Sequence, residues 1–347
     1  MVIGINLNHD YAFCTIHKGK IFLNEIERTS RIKHHVTEDV HNLTLLDDFS
    51  IKELEQVRAI YLNSPMMRKI MLKDGNLSSP KRSYRYIGEY VPKQNSSGLS
   101  YGKLLIEDIE IPAAWVSHYH AHAASSFWAS PFERADIFCL DGGGDYGEGA
   151  SFLGNESEIV LGKRFTDAQL GSSYHYFSHR VYGVTQGFYE SKVMAIASFG
   201  NKNFSHNNFM NRNGGLNDII SNQVISVDDI AEFQYQFEKG VLNLIAENKS
   251  NNKNLCCGGG CFLNVNLNTV VANSKMYDEI YIPPYTGDMG TAIGCALYAH
   301  RDVFKKLPAK SNLNTGFLGY DIDIKISSLK DIIIELGDVP LDKELYI

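Results

Sequence analysis

Apolar and polar positions alternate at the head of the chain in three short runs. Residues 2–7 (VIGINL), 11–18 (YAFCTIHK) and 20–27 (KIFLNEIE) are rich in branched and aromatic side chains, with NHD and Gly19 between them. That pattern predicts strand, turn, strand, turn, strand. The plan recurs near the middle. ADIFCL (135–140) runs into DGGGDYGEG, then come ASFLG and a turn, and SEIVLGKRF (157–165) returns. Each meander carries an aspartate after its first strand, Asp10 and Asp141. Two such units predict a duplicated α/β architecture rather than one continuous sheet.

Helical stretches and one short strand, RAIYLN (58–63), are expected between the meanders, with residues 72–86 (LKDGNLSSPKRSYRY) as a loop or flap. PAAWVSH (112–118) reads as a strand feeding a helix at AHAASSFWAS (121–130). In the second half, residues 227–248 have helical periodicity, and NLCCGGG (254–260) is a strand ending in a glycine turn. A helix over 261–274, a strand at EIYIPP (279–284), and a glycine turn with a helix over 287–304 complete the pattern. The expected organisation is a lobe over 1–134, a lobe over 135–304, and a trailing segment of loops and one helix over 305–347.

At 347 residues and 44% hydrophobic, the chain can bury a large core or two domains. The net charge of −7 argues against a protein whose main task is to hold nucleic acid, leaving SPKRSYRY (79–86) as the one local basic patch. No apolar run reaches the length of a membrane span, and MVIGINLNHD lacks the charged start of a signal peptide. The six cysteines lie mostly in apolar segments without a CxxC pair, which reads as buried reduced thiols in a cytoplasmic protein.

Chemistry concentrates in VSHYHAHAASSF (116–127). If SHYHAHAASSF starts a helix, His118 and His122 stand at i and i+4 on one face and could share a divalent metal, while His120 points elsewhere. A solvated helix start is the plainer reading. Oxygen ligands are available in Asp141, followed by Gly142, Gly143 and Gly144, and in Asp288, after Gly287 at a helix start. A tight turn and an N-cap are their structural alternatives. The turn at Gly258, Gly259 and Gly260 could cradle a ribose or phosphate on helix amides, or serve close packing. Arg28, Arg31, Lys33 and His34, and likewise Lys192, read either as an anion grip or as solvated charge.

Together these stretches resemble the O-carbamoyltransferases of the nodulation-factor and aminoglycoside-antibiotic type, related in fold to the tRNA threonylcarbamoyl transferases. The resemblance runs in order through NHDYAFCTIHKGKI, NEIERTSRIKHH, SHYHAHAASSFWASPFERADIFCLDGGGDYG, GVTQGFYESKVMAIASFG, LCCGGGCFLNVNLN and EIYIPPYTGDMGTAIGCALY. It implies an actin/hexokinase/Hsp70-like (ASKHA) fold with two lobes around a nucleotide and metal cleft. It implies iron held by His118, His122, Asp141 and Asp288, a donor set that zinc would also suit, with magnesium as a further cofactor expectation. His9, Asp10 and Lys33 match catalytic positions near donor and acceptor. Lys192 matches the lysine of an EGK motif, and the GGG turn with Asn264 matches the nucleotide-binding turn. The implied reaction carries a carbamoyl group from ATP-derived carbamoyladenylate to a hydroxyl of a small-molecule, sugar-containing or glycan acceptor. Ser191 replaces the glycine of EGK, and Tyr189 stands where an acidic residue is frequent, so acceptor identity does not carry over. The second, carbamoyladenylate-forming domain of such enzymes would begin about where this sequence stops at Ile347, so the expectations are a separate partner protein that supplies it, a chain that is a fragment, or a changed activity. A tRNA-modifying transferase, a silent nucleotide-binding subunit and a homodimeric assembly are the other expectations.

Overall fold

The computed structural model describes residues 1–7, 9–34, 46–63, 76–77, 81–88, 97–145, 147–202, 207–217, 224–310 and 318. The first meander forms β1 (Val2–Asn6), β2 (Ala12–His17) and β3 (Lys20–Glu25), followed by a single helical turn, α1 (Glu27–Ser30). A capped turn, α2 (Ile51–Leu54), leads to β4 (Ala59–Asn63), and then β5 (Asn76–Leu77), β6 (Tyr84–Gly88), β7 (Leu99–Ile106) and β8 (Ile109–Val116) enlarge the sheet. Helix α3 (His118–Phe127) crosses to the second sheet, whose meander is β9 (Arg134–Gly144), β10 (Gly147–Asn155) and β11 (Glu158–Arg164). Helices α4 (Leu170–Tyr182), α5 (Glu190–Ala197) and α6 (Val227–Asn248) precede β12 (Asn254–Gly258). A 3₁₀ turn (Gly260–Leu263), α7 (Val265–Asn273), β13 (Glu279–Tyr281) and α8 (Met289–Phe304) follow.

The molecule is a mixed α/β structure with two sheets, one of eight strands and one of five. Both contain the same order: β3-β2-β1-β4-β8 in the first, β11-β10-β9-β12-β13 in the second. In each, an antiparallel meander is joined through its first strand to two parallel strands. The central helices lie between the sheets, α8 against β1, β2 and β4, and α3 against β9 and β12. Each half of the chain thus lends one helix to the other half's sheet. Strand pleating sends alternate side chains to opposite faces: Ile137 and Cys139 of β9 join the inter-sheet core, and Phe138 and Leu140 join an outer core with α4–α7. Helix α6 reads Ile230, Phe233, Phe237, Val241 and Ile245 along one buried stripe, and Ser226 and Asp229 close a capping box at its start. Each such side chain removed from water contributes about 1.5–3 kcal/mol.

The α3–α8 contact is close because its residues are small. A Cβ at Gly294 would come within 2.0 Å of the Ala121 carbonyl oxygen, a backbone atom that cannot move alone. Gly294→Ala is therefore expected to cost about 3 kcal/mol, read as a lowered urea midpoint. An unchanged midpoint would mean that the helices part freely.

Four expectations are corrected. Residues 72–86 are not simply a loop: Asn76–Leu77 and Tyr84–Gly88 pair as β5 and β6, with Tyr84 and Tyr86 buried, while 72–75 and 78–80 lie outside the described residues. Strand β7 was not anticipated. Gly142–Gly144 are the end of β9 rather than a turn, with Gly144 paired to Gly147. The helix expected from Cys261 begins only at Val265, after the 3₁₀ turn. Of the segment 305–347, only 305–310 and Leu318 are described; the Leu318 carbonyl accepts the Leu23 N–H at 2.7 Å.

Candidate functional site

Helix α3 is buried along its whole length, and Asp145 accepts the His118 backbone N–H at its positive end. One turn separates His118 and His122, so their rings meet at right angles, 4.5 Å apart, with the two Nε2 atoms 3.2 Å apart. His120 turns away as expected, bonding the Ser117 hydroxyl at 2.8 Å through Nδ1 and packing edge-on against Phe152. Gly144 makes room for this arrangement: a Cβ there would stand 2.9 Å from the His118 ring.

Asp141 is fixed by backbone amides, with the Gly142 N–H on Oδ1 at 2.7 Å and the Gly260 N–H on Oδ2 at 2.8 Å. Asp288 occupies the N-cap position of α8 without capping it. Its Oδ1 lies 3.7 Å from His118 Nε2 and 3.3 Å from His122 Nε2, while Asp141 Oδ2 lies 3.8 and 3.4 Å from the same atoms. One donor atom from each of the four side chains falls within 4.8 Å of all the others.

This donor set fits a divalent cation. Two imidazole nitrogens and two carboxylates suit iron or zinc, and spacings near 3.3 Å are those of ligands about 2.0 Å from a shared ion. Asn63 Oδ1 faces His118 Nδ1 at 3.4 Å, a partner that would keep the proton on Nδ1 and leave Nε2 to bind. His122 Nδ1 is buried with no hydrogen-bond partner among the described residues. Without a cation the charges compensate one another. Burial alone would lower the His122 pKa, but Asp141 and Asp288 raise it to about 9. Burial alone would raise that of Asp141, yet His118 and His122 hold it well below the carboxylate range.

His9 and Asp10 extend the group outward. His9 Nε2 sits 3.1 Å from Asp288 Oδ2 and its Nδ1 3.1 Å from Asp10 Oδ2; His34 Nδ1 reaches Asp10 Oδ1 at 2.8 Å. Asn6 holds the turn, donating from Nδ2 to the carbonyls of His9 and Asp10, each at 3.1 Å. Asp10 and His34 both have positive φ, 53° each, and such backbone persists where surroundings impose it. Lys33 is exposed, and its neighbour His34 makes the contact with Asp10. Lys192 is also exposed, its Nζ over the rings of Tyr189 and Tyr182 at 5.0 and 5.6 Å.

On the far side of Asp141 lies the glycine turn. Gly259 has φ 94°, and a Cβ there would come within 2.2 Å of the Leu140 carbonyl oxygen. Gly258 passes over the His122 carbonyl; Gly142 and Gly143 are exposed, with the start of α4 facing Gly142 and open space above Gly143. A Cβ at Gly287 would meet the Leu263 side chain at 3.4 Å, and the Gly287 carbonyl accepts the Gly290 N–H at 2.9 Å. Asn264 caps α7 through the Leu267 N–H at 3.0 Å and pairs with Gln234. Beyond Gln234 is a cavity of about 430 Å³ lined by Ala197, Gly200, Ala231, Glu238 and Asn266 among others.

Glu148 escaped the sequence reading. Its Oε2 accepts the Gly171 and Ser172 N–H groups at the start of α4, at 2.9 and 3.3 Å. Burial, assisted by the Asp141 charge, outweighs those bonds and raises its pKa to about 7. A carboxyl raised in the folded state gives its full stabilisation below its ordinary pKa and loses it as pH rises through the folded value. Glu148→Gln should therefore match the parent near pH 5 and gain about 2 kcal/mol at pH 8 by urea unfolding. A difference that does not vary with pH would contradict this.

Comparison with known proteins places these features. The family model described as carbamoyltransferase N-terminus matches residues 1–218 and 206–297. Nodulation protein NolNO of Sinorhizobium fredii (strain NBRC 101917 / NGR234) is 22% identical over 371 residues, covering 96% of this chain and 52% of the relative. Nodulation protein U of Bradyrhizobium diazoefficiens is 22% identical over 366 residues, covering 88% of this chain and 63% of the relative. The chain thus spans less than two thirds of either. Among solved structures, HypF from T. kodakarensis aligns with TM-score 0.47 at 14% identity, covering 90% of this chain and 48% of that one. Among the described residues, no helix is long and apolar enough to cross a membrane.

Proposed function

The chain belongs to the carbamoyltransferase N-terminus family, and we propose that it is the transfer half of a metal-assisted O-carbamoyltransferase. The observation that carries this is the convergence of His118, His122, Asp141 and Asp288 within 4.8 Å, directly beside His9. The repeated strand order supports a duplicated ASKHA-type fold, with lobes over 1–134 and 135–304.

In this reading the donor is carbamoyladenylate, and the acceptor is a small hydroxylic or sugar-containing molecule. The four ligands would hold iron, or zinc, which would polarise the carbamoyl oxygen and offset charge on the leaving phosphate. The glycine turn at Gly258–Gly260 and the cavity beyond Gln234 would take the nucleotide. The acceptor oxygen bonds to the carbamoyl carbon, the bond from that carbon to the phosphate oxygen breaks, and AMP departs. His9, in its neutral form, would take the hydroxyl proton on Nε2, turning that nitrogen from Asp288 to the acceptor while Nδ1 stays on Asp10. Asp10 orients that imidazole, and His34 fixes Asp10. Nothing in the charge distribution favours tRNA as the acceptor, the net charge being −7.

The test is to supply carbamoyladenylate to the metal-loaded chain together with a panel of alcohols and glycosides. Carbamoylated acceptor formed in step with AMP supports transfer. AMP release with no carbamoylated product from any acceptor contradicts it.

A further inference from the structure

The connection between α4 and α5 is held down by two histidines one helical turn apart. His179 Nε2 bonds the Gly187 carbonyl at 2.7 Å, and His175 Nδ1 pairs with Glu190 Oε1 at the first position of α5. The two imidazoles themselves stand 4.1 Å apart. Gly187 has φ 102°, a conformation that side chains resist. The outcome is the placement of Phe188. Its ring centroid lies 4.4 Å from His34, 5.9 Å from His9 and 6.0 Å from His175, and the residue is 41% exposed.

This side of the site differs from the nucleotide side. Glycine turns and a polar cavity lie beyond Asp141. Around Phe188 stand an exposed aromatic face, partly exposed imidazoles of His9 and His34, and the Glu190 carboxylate. An aromatic face bordered by hydrogen-bonding groups recognises a ring with an apolar C–H face and a hydroxylated edge. Neither His175 nor His179 meets the metal quartet, so their pairing with the loop has no use there.

Resting on the transfer reading, we infer that Phe188, pinned by His175 and His179, is the wall of the acceptor subsite and sets its selectivity for ring-shaped polyols. The ring would lie on Phe188, with its reactive hydroxyl toward His9 and a neighbouring hydroxyl toward Glu190.

The experiment compares carbamoylation of methyl pyranosides with that of hydroxylamine, a nucleophile too small to need a wall. The full chain is used, with Phe188→Ala and Phe188→Tyr. The expected result is a fall of about tenfold in the ratio of pyranoside to hydroxylamine kcat/KM for Phe188→Ala, carried by KM, and its restoration in Phe188→Tyr. Direct pyranoside binding, followed by saturation-transfer NMR, should weaken in the same order. A ratio within twofold of the parent, with hydroxylamine still carbamoylated, overturns the Phe188 assignment alone. No carbamoylation of hydroxylamine by the unaltered chain removes the transfer reading and this assignment together.

Discussion

Asp288→Ala protein is expected to lose its metal, with affinity reduced at least about 100-fold and carbamoyl transfer lost with it. Asp288 links the quartet to the outer pair: one oxygen faces both histidines of α3, and the other faces His9. Its removal takes away a ligand and one of the two carboxylates that balance His122, and leaves His9 with only the Asp10 carboxylate in contact among the described residues. His118→Ala should have the same effect on the metal while leaving the His9–Asp288 contact intact. Elemental analysis after dialysis against a weak chelator reads both variants. Full occupancy in either would mean that the four side chains do not share an ion.

His9→Asn should separate chemistry from metal binding. His9 is not among the four converging donors, so the variant is expected to keep its metal while the transfer rate falls about 10²–10⁴-fold. The pH dependence carries the sign. In the metal-free chain, burial works against the His9 cation, but the Asp288 charge and the Asp10 hydrogen bond and charge outweigh it, raising the pKa to about 9. That contribution to stability is complete below pH 6.5 and is lost as pH rises through about 9. A bound cation would share the Asp288 charge, so loading should move the His9 titration downward, and the transfer rate should rise with pH through the new midpoint. NMR of the ring protons follows the midpoint directly. A midpoint that stays near 9 on loading would mean that the metal sits elsewhere.

Much of this site was legible because its signals are local. HxxxH fixes two rings on one helical face whatever the rest of the fold does. An aspartate followed by glycines presents its carboxylate even though, at Asp141, the strand runs on to Gly144. Both meanders were visible as alternating runs with polar breaks. The pairing of Asp141 with Asp288 depends on α3 and α8 crossing between the sheets, which no local pattern encodes; the family resemblance supplied it. His34 stood in a basic run that read either as an anion grip or as solvated charge, because IKHH has no periodicity that points inward. Its contact follows from two left-handed residues, Asp10 and His34, whose backbone no pattern in the sequence announces. Strand β6 and the edge strand β5 beside it were hidden by basic and polar residues of the kind that keep sheet edges from pairing with other chains. Glu148 and Phe188 were missed for a similar reason. Each acts through a loop geometry, the start of α4 and the turn at Gly187, rather than through a motif.

The most direct test is a crystal of the metal-loaded chain with diffraction recorded at the iron and zinc absorption edges. One anomalous peak is predicted within coordinating distance of His118 Nε2, His122 Nε2, Asp141 Oδ2 and Asp288 Oδ1. A peak at another position, or a loaded protein with no peak between these four atoms, would contradict the assignment.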